Sequence, residues 1–430
     1  MKKLIVSKQV ILSFLLFIFF SFTLLGQDNK GMKSAENRFK TQSLKPTNLL
    51  FSGVLFEHKK KRQFLYIPSL FELFLANTVE GFVFNPQLSF TQNAYDGRFY
   101  TLKPSLRYGF SNQRIQAKLE TKYYYLRRYK AVLQISGGRS IEQINGSSTL
   151  TGFNNTNYTF LQGLNYLKIY ERTFLEIGHS HSPVKDFLIS GTLSWNQRNP
   201  LQNLPRYEED SSEYTSNDPI NQELFNTAFT KHKVLLWEAK LTWQWEHRYI
   251  RRRGELVSDS PYPAVSLVYS GALKNVLGSD MAYQKIAFQI SQQFKSSKLG
   301  TGNLYFETGD FLTKDALTFV DFRHFNGSKT AFRRFQMGDF QLLDYYENST
   351  TDFYLQAHYE HQLNPINLKN KKIYPLLSLN YLYTATNGAY LELGAGIYHL
   401  KSQLSLEIYN SWQKGNYEDL GIRIGFRFEE

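Results

Sequence analysis

The closing stretch of the chain, "LGIRIGFRFEE", alternates apolar and polar side chains without interruption. One series is Ile422, Ile424, Phe426 and Phe428, and the other is Arg423, Gly425 and Arg427. Because side chains of a β-strand point alternately to opposite faces, this pattern predicts one apolar and one basic face. A soluble domain would bury the apolar face in its core. An outer-membrane β-barrel would place that face in lipid and the arginines in a wet lumen.

The same period-two pattern recurs throughout the chain. Between Trp237 and Trp245, aromatic and apolar residues alternate with polar ones. A full count gives sixteen candidate strands, an even number as expected of bacterial single-chain barrels. Their bounds are roughly 48–58, 79–92, 99–110, 114–126, 129–138, 168–180, 185–197, 233–249, 263–274, 283–296, 299–310, 352–363, 373–384, 389–398, 402–412 and 420–428.

The lengths of the connections favour a barrel. With the C-terminus in the periplasm, successive connections alternate between the outside and the periplasm. The three longest internal gaps, 139–167, 198–232 and 311–351, all fall on the outer side. A closed sheet has no exposed edge, so the last strand is predicted to pair with the first, near 48–58. The predicted fold class is all-β: a transmembrane antiparallel β-barrel of 16 strands with long extracellular loops.

The N-terminus has the pattern of a secretory signal peptide. Basic residues precede an apolar run from Val10 to Leu25, and a small residue, Gly26, follows. The alternative is one anchoring helix, but the run is shorter than the roughly 20 residues that a spanning helix needs. The predicted divisions are a signal peptide at 1–26, a short periplasmic or disordered lead at 27–47, and the barrel at 48–430.

Composition narrows the function classes. The mean hydropathy of −0.41 argues against a bundle of membrane helices, and the absence of Cys excludes disulfides, thiolate metal sites and Cys nucleophiles. A net charge of +13 would suggest nucleic acid, but an exported barrel seldom meets it. The basic run 59–62 is predicted to face outward, where it would contact lipopolysaccharide phosphates, and the run 251–253 to be periplasmic. Lumen arginines would bias a pore toward anions or pair with lumen carboxylates.

Two clusters suggest chemistry. In His179-Ser180-His181 the two His share a strand face and Ser180 points the other way, which opposes a Ser–His nucleophile, and a third metal ligand is missing. The acidic stretch 208–210 would lie on an outer loop, but its spacing matches no recognised calcium loop. We therefore predict no catalytic residue, no metal and no cofactor.

Several stretches carry a resemblance to a known family. They are "NTVEGF" (77–82), "LRYGFSNQR" (106–114), "YPAVSLVYSGALKNVLGSDMAYQKI" (262–286) and "FQLLDYYENSTTDFYLQAHYEHQLNPINLKNKKIYPLL" (340–377). On these, the chain resembles a family of Gram-negative outer-membrane barrels related to the surface antigen (BamA/TamA-like) superfamily. That family's barrel often follows a carboxypeptidase-regulatory-like domain and has no assigned function. Residues 27–76 are too few for such a domain or for client-capturing POTRA modules, so a full insertase or two-partner secretion role is not expected.

The resemblance implies a sixteen-stranded barrel whose long sixth outer loop, here 311–351, folds into the lumen. In BamA-like proteins this loop carries an Arg-Gly-aromatic motif whose Arg docks on acidic lumen residues. The nearest match here is "FRRF" at 332–335, with Arg in the Gly position, and two solvated arginines are the alternative. The candidate loop–lumen contacts are Arg333, Arg334, Glu360, Glu392 and Glu407.

The predicted function is that of a non-enzymatic outer-membrane barrel of the surface-antigen type, acting in envelope assembly, in transport or as a scaffold. The alternatives are a passive diffusion channel with an anion-leaning lumen and a barrel hydrolase that uses Ser180. The expected partners are outer-membrane lipid, lipopolysaccharide and, during biogenesis, the barrel-assembly machinery. Phe426-x-Phe428 resembles the C-terminal signal read by that machinery, although two glutamates follow it here.

Overall fold

The computed structural model of the protein consists mainly of antiparallel β-strands. It describes residues 53–58, 61–94, 98–126, 131–148, 150–162, 164–204, 215–219, 227–246, 248–252, 255–330, 332–334, 336–368, 371–399 and 403–426. The predicted signal peptide and lead lie outside these residues. No helix among them is long and apolar enough to cross a membrane.

Two helices and a series of strands are formed within the described residues. The helices are α1 (Leu70–Leu73) and α2 (Gly152–Gln162), and the strands are β1 (Val54–His58), β2 (Gln63–Ile67), β3 (Phe74–Asn77), β4 (Gly81–Phe84), β5 (Ser89–Asn93), β6 (Phe99–Gly109), β7 (Arg114–Leu126), β8 (Ala131–Gln143), β9 (Ile169–His181), β10 (Phe187–Pro200), β11 (His232–Gln244), β12 (Arg248–Arg252), β13 (Glu255–Asp259), β14 (Ala264–Ala272), β15 (Ala282–Ser296), β16 (Gly300–Ala316), β17 (Phe332–Arg334), β18 (Tyr354–Gln362), β19 (Ile366–Leu368), β20 (Lys371–Thr384), β21 (Gly388–His399), β22 (Leu404–Gln413) and β23 (Asn416–Phe426).

One sheet contains 21 of these strands, and β12 with β13 forms a separate hairpin. From β5 to β11, each strand pairs antiparallel with the next long one along the chain. The series continues through β14, β15, β16, β18, β20, β21, β22 and β23. The predicted all-β antiparallel fold is confirmed.

The predicted count of sixteen strands is not confirmed, because several segments are broken, extended or added. The predicted strand 79–92 is split into β4 and β5 around Pro86, which has no N–H to donate to a ladder. The strand β2 was not predicted, and it pairs with both β1 and β5. The strands predicted at 129–138 and 299–310 extend to Gln143 and Ala316.

The two faces of the sheet have opposite chemistry. On β22, Ser405 and Glu407 are 2% and 4% exposed, whereas Leu406 and Ile408 are each 48% exposed. On β9, Leu175 is 63% exposed. Burial of apolar surface stabilises a protein in water by about 25 cal/mol per Å², so a sheet in water would bury these side chains. The apolar face therefore requires an apolar surrounding such as lipid, and the polar face is the interior.

Contacts across the polar face indicate that the sheet curls into a barrel. Eleven strand pairings separate β8 from β23, which is about 50 Å in a flat sheet at about 4.8 Å per strand. Yet Asn145, just after β8, bonds to Asn326 at 3.0 Å, and Arg423 of β23 bonds to the carbonyl of Ser328 at 3.4 Å. Since Asn326 and Ser328 are only two residues apart, at most about 7 Å, β8 and β23 must approach each other.

The hairpin between β1 and β2 lies at the end of the barrel that carries short turns. The Asn93 N–H donates to the Arg62 carbonyl at 3.0 Å, and the Gln92 amide donates to the Lys61 carbonyl at 2.8 Å. The prediction that the basic run 59–62 shares the outer end with the long loops is therefore wrong for Lys61 and Arg62, and positions 59 and 60 lie outside the described residues. The unforeseen strand β2 adds one reversal of direction, which places Lys61 and Arg62 at the opposite end.

The edge of the last strand is occupied by a loop segment. β23 pairs antiparallel with β22 and, on its other side, parallel with β17. β1 pairs with β2. Between the described residues of β1 and β23 there is no pairing, so the predicted closure of the last strand against the first is not found in this part of the chain.

Candidate functional site: the inner loop on the polar face

Residues 317–353, between β16 and β18, turn onto the polar face of the sheet, and we call them the inner loop. The loop begins with a single 3₁₀ turn, Phe319–Asp321. The N–H and the hydroxyl of Thr318 each donate to Asp321 Oδ2 at 3.0 Å, and the Asp321 N–H donates back to the Thr318 carbonyl at 2.8 Å. A threonine followed three residues later by an acid is a known helix-start pattern, so this turn is encoded locally.

One anchor of the inner loop is the carboxylate of Glu392 on β21, which is fully buried. The N–H of Gln341 donates to Oε1 and Oε2 of Glu392 at 3.0 and 2.7 Å. The N–H groups of Leu342 and Leu343 donate to Oε1 of Glu392 at 2.7 and 3.1 Å. Asn380 and Tyr390 add side-chain hydrogen bonds of 2.9 and 2.8 Å. Successive backbone N–H groups that converge in this way form an anion-binding nest, and here the anion is supplied by the sheet.

Arg423 of β23 holds the same part of the loop through carbonyl oxygens. Its Nε donates to the Gln341 carbonyl at 2.8 Å, and its Nη2 donates to the Ser328 carbonyl at 3.4 Å. A Cβ atom at Gly421 would lie 2.3 Å from the Leu342 side chain. The absence of a side chain at Gly421 therefore lets the inner loop lie against the backbone of β23.

A second anchor joins Arg323 of the inner loop to Glu307 of β16. The guanidinium donates to Glu307 Oε2 at 2.8 Å. Tyr354 and Gln356 on β18 donate to the same carboxylate at 2.7 and 2.9 Å, and Tyr305 contributes a further short hydrogen bond. Glu307 is therefore saturated by donors, as a buried carboxylate must be to remain charged.

A third anchor joins Asp321 to Arg198 of β10 at 2.7 Å, and both side chains are buried. Tyr283 of β15 also donates to Asp321, at 3.3 Å. Burial alone would raise the pKa of Asp321, but the Arg198 guanidinium and the Thr318 hydrogen bonds hold that pKa below its usual value. Asp321 is therefore a charged anchor under ordinary conditions.

Aromatic packing fills the space between these polar anchors. Phe325, Phe340 and Leu343 of the inner loop form one buried cluster with Tyr354, Leu382 and Tyr390 of the sheet. The ring of Phe340 lies 4.6 Å from the ring of His358. Phe340 itself is fully buried, so the inner loop is packed against the sheet as a core and not merely tethered to it.

A second loop, between β8 and β9, touches the inner loop from the other side. The Asn145 amide donates to Asn326 Oδ1 at 3.0 Å, and the Asn145 N–H donates to the Tyr346 hydroxyl at 3.3 Å. Asn326 in turn donates to Asp339 at 3.2 Å. The inner loop is thus held from β8 around to β23.

The carboxylates predicted as docking partners lie on this polar face, but their contacts differ from those expected. Glu392 binds loop backbone, as described. Glu360 lines a cavity of about 10 Å³, room for about one water, together with Gln336 and Asp339 of the inner loop. Glu407 accepts hydrogen bonds from Ser405 at 2.6 Å and Tyr409 at 2.5 Å, both on its own strand.

The loop arginines and the terminal aromatics are described only in part. Arg333 and Arg334 lie in β17, and their backbone pairs with Gly425 and Phe426. Their side chains and that of Phe426 lie outside the described residues, as does Phe428. Docking of the arginines and the terminal assembly signal therefore stay predictions.

The other sequence clusters are placed apart from the inner loop. His179 of β9 stacks beside Tyr125 and His181, with ring centroids 6.1 and 5.2 Å away, and its Nε2 lies 2.7 Å from the Tyr125 hydroxyl. Ser180 points to the opposite face, so these imidazoles cannot activate it. The acidic stretch 208–210 lies outside the described residues. Among those that are described, no group of three metal-ligating side chains is arranged for a metal ion.

Sequence reasoning missed Arg198, Glu307, Asp321 and Arg323. The Thr318-x-x-Asp321 spacing was the one local pattern that could have drawn attention to the loop. The other three are single charged residues in long strands or a loop, and only the fold pairs them. The carboxylates of Glu392, Glu307 and Asp321 accept hydrogen bonds from donors of the chain itself. Together these contacts can hold the inner loop in place.

Comparison with known proteins gives one family. A model described as "Family of unknown function (DUF5686) C-terminal domain" matches residues 47–397. No curated protein sequence matches the chain.

Among solved structures, the chain is similar to BamA from Haemophilus ducreyi lacking POTRA domains 1–3, with 12% identity and a TM-score of 0.43 over 81% of this chain and 68% of that one. It is also similar to CdiB from Escherichia coli and from Acinetobacter baumannii, each with 10% identity and a TM-score of 0.41. These two matches cover 81% and 82% of this chain and 59% and 58% of the CdiB chains, so this chain spans less than two thirds of their length.

Proposed function

The chain belongs to the family of unknown function that this C-terminal-domain model describes, and we propose that it is a non-enzymatic outer-membrane β-barrel of the surface-antigen type. The exposed apolar face of the sheet supports a place in lipid. A buried network of polar and aromatic contacts supports a lumen closed by the inner loop. Its role would be in envelope assembly, in transport or as a scaffold for a partner.

The observation that carries this proposal is the docking of Gln341, Leu342 and Leu343 on Glu392. A loop that merely overhung the barrel would be solvated, and its backbone N–H groups would need no buried partner. Here three such groups converge on one fully buried carboxylate. Removing the carboxylate would leave buried donors unpaired, so the docked position is the stable one.

Conductance in planar lipid bilayers tests the closed lumen. The purified protein should give no large, steady current. A variant in which residues 324–350 are replaced by a short Gly-Ser linker should conduct, provided that it still migrates on gels in the heat-modifiable manner of a folded barrel. A large, steady current from the unaltered protein would overturn the proposal.

A second candidate is a passive channel with an anion-leaning lumen, and one observation favours it. Lys103 of β6 and Lys118 and Lys122 of β7 lie on the same face as Glu120 and remain partly exposed. A water-filled path along these strands would attract anions. In the same bilayer measurement, this candidate requires a steady current with a reversal potential shifted toward that of chloride in a salt gradient.

A further inference from the structure

A cavity of about 230 Å³ lies between the inner loop and strands β21, β22 and β23, and we call it the acidic cavity. The Ala385 N–H donates to the Phe353 carbonyl at 3.1 Å, so the turn after β20 lies beside the end of the inner loop. The Lys414 N–H donates to the Ala389 carbonyl at 2.8 Å, so the turn after β22 lies at the same end. Gln413, next to that turn, lines the acidic cavity. The cavity is therefore at the end of the barrel that carries the long loops.

The rim of the acidic cavity carries an excess of negative charge. It is lined by Asp344 and Glu347 of the inner loop and by Glu418 and Asp419 of β23. Lys329, which pairs with Asp344, is the one cationic residue among the described residues that line it. Four carboxylates thus accompany one ammonium group, in a protein whose formal net charge is +13. Lys329, Glu418 and Asp419 are exposed, so the rim is open to solution and would concentrate cations from it.

The floor of the acidic cavity is apolar and fixed in position. Leu342, Leu343 and Tyr390 line it and are all buried. The N–H groups of the two leucines and the hydroxyl of Tyr390 donate to Glu392 at 2.7, 3.1 and 2.8 Å. The floor is therefore held in place before any ligand arrives. Its leucine side chains can pack against methylene groups, and a tyrosine ring attracts a cation.

One buried polar group of the cavity wall lacks a partner. Ser411 of β22 lines the acidic cavity and is 1% exposed. Its hydroxyl makes no hydrogen bond of ordinary length and angle to any residue that the structure describes. Buried hydroxyl groups are nearly always hydrogen-bonded, so this oxygen is available to a ligand that donates from the cavity.

A primary alkylammonium group matches these features together. Its methylene chain fits the apolar floor, and its three N–H donors fit the rim carboxylates and the Ser411 hydroxyl. A bare metal ion does not match, because no three metal-ligating side chains among the described residues are arranged for one.

We propose that the acidic cavity binds a primary alkylammonium group, carried either by a lysine side chain of a partner protein or by a free amine. The inference rests on the docked inner loop of the proposed function, since that loop forms one wall of the cavity. It does not depend on whether the lumen conducts. The site would give the protein a means of recognising a cationic partner at the end that carries the long loops.

Calorimetric titration of the purified protein in detergent at low ionic strength tests the site with two probes. They are cadaverine, a free diamine, and Nα-acetyl-lysine N-methylamide, which presents a lysine side chain. Tighter binding of cadaverine would identify a free amine as the ligand, and binding of the lysine derivative at least as tight would identify a lysine side chain. The uncharged analogue 1,5-pentanediol should not bind. Binding of neither amine, or equal binding of the diol, would overturn the inference.

Variants of the rim locate the binding. Glu418→Gln/Asp419→Asn removes two charges at nearly constant side-chain size and should weaken amine binding at least about tenfold. The matched control is Asp352→Asn, which removes an exposed carboxylate that pairs with Lys314 and does not line the cavity. It should bind the amine as the unaltered protein does. Equal affinity of the double variant and the unaltered protein would contradict binding in the acidic cavity.

Resistance of the inner loop to trypsin, measured on the same samples, separates this inference from the proposed function. An unaltered protein that binds neither amine although its inner loop resists trypsin would overturn this inference alone. An unaltered protein that binds neither amine and whose inner loop is cleaved would overturn the docked loop of the proposed function as well.

Discussion

Arg198 of β10 and Asp321 of the inner loop form a buried ion pair of 2.7 Å, although 123 residues separate them in the chain. Two charges removed from water remain stable only as a complete pair, because either one alone loses its hydration without compensation. Any movement of the inner loop away from β10 would separate these two buried charges, so the pair opposes even a partial displacement of the loop.

The first prediction follows from this pair. Arg198→Met and Asp321→Leu should each lower the free energy of unfolding by about 3–5 kcal/mol, and the double variant should cost less than the sum. Urea unfolding in detergent micelles, followed by tryptophan fluorescence, measures the three values. The control is Lys314→Met, which breaks an exposed pair with Asp352 and should cost less than about 1 kcal/mol. Strictly additive losses would contradict a coupled pair.

The second prediction concerns the nest around Glu392. In Glu392→Ala, the N–H groups of Gln341, Leu342 and Leu343 lose their acceptor, and each unpaired buried donor costs about 1–3 kcal/mol. The inner loop should then leave the sheet, and trypsin should cleave it at its Lys and Arg residues. Glu392→Gln keeps one carbonyl acceptor and should be intermediate.

The control for this experiment is Glu120→Ala, which removes a partly exposed carboxylate whose partner is Lys118. Its inner loop should stay as resistant to trypsin as that of the unaltered protein. If Glu392→Ala were equally resistant, the nest would not be what holds the inner loop.

The third prediction is a pH dependence that arises at His324. Its Nδ1 lies 2.7 Å from the Ser349 hydroxyl, and its ring packs against Phe319 and Tyr346. Burial, together with the nearby positive charges of Arg323 and Lys285, lowers the pKa of His324 to about 3. Between that value and the ordinary value of 6.5, only the unfolded chain takes up a proton at this residue. The stability present above pH 6.5 is therefore lost progressively as the pH falls toward 3.

His324→Phe removes this contribution and should unfold with a shallower pH dependence. Relative to this variant, the unaltered protein should lose about 2 kcal/mol between about pH 6 and pH 4.5. Unfolding midpoints measured across that range give the difference. His361→Gln, on β18, serves as the control and should keep the original slope, and parallel slopes for all three proteins would refute the assignment.

The fourth prediction tests whether lipid or water surrounds the apolar face of the sheet. Leu175→Lys, at a side chain that is 63% exposed, should lower barrel stability in lipid vesicles by about 2–4 kcal/mol, because a charge would enter hydrocarbon. Leu277→Lys is the control, since Leu277 is 68% exposed but lies in the turn between β14 and β15. It should cost about 0–1 kcal/mol. A neutral Leu175→Lys would mean that water, and not lipid, covers this face.

The fifth prediction tests the alternative that the protein is a hydrolase that uses Ser180. Ser180 faces away from His179 and His181, so Ser180→Ala should leave any lipase or protease activity of the purified protein unchanged. Loss of an existing activity in this variant, with its heat-modifiable migration preserved, would restore the hydrolase as a candidate.

The long strands could be predicted from the sequence because a strand with lipid on one face and a polar interior on the other must alternate apolar and polar side chains. The last strand illustrates this: Ile422 is exposed and Arg423 turns toward the inner loop. Short segments such as β2 and β17 were not predicted as strands. A strand of three to five residues is too short for periodicity to distinguish it from a loop.

The candidate site was predicted less completely, and the reason is physical. The resemblance directed attention to Glu392 and to loop arginines, but the groups that bind Glu392 include backbone N–H groups of Gln341, Leu342 and Leu343. Every non-proline residue carries such a group, so a backbone nest has no side-chain pattern. The pairs between Arg198 and Asp321 and between Arg323 and Glu307 depend on how the sheet curls, which no local pattern contains.

The alternation on β22 restricts how the length of this chain can change during evolution. One extra residue inserted between Leu404 and Leu406 would turn Glu407 toward lipid and Leu406 toward the interior, because every side chain after the insertion would change sides. Insertions of even number would preserve the sides, and insertions in the turns would disturb neither. Related chains should therefore differ in length at their turns and loops, while their strands change by substitution.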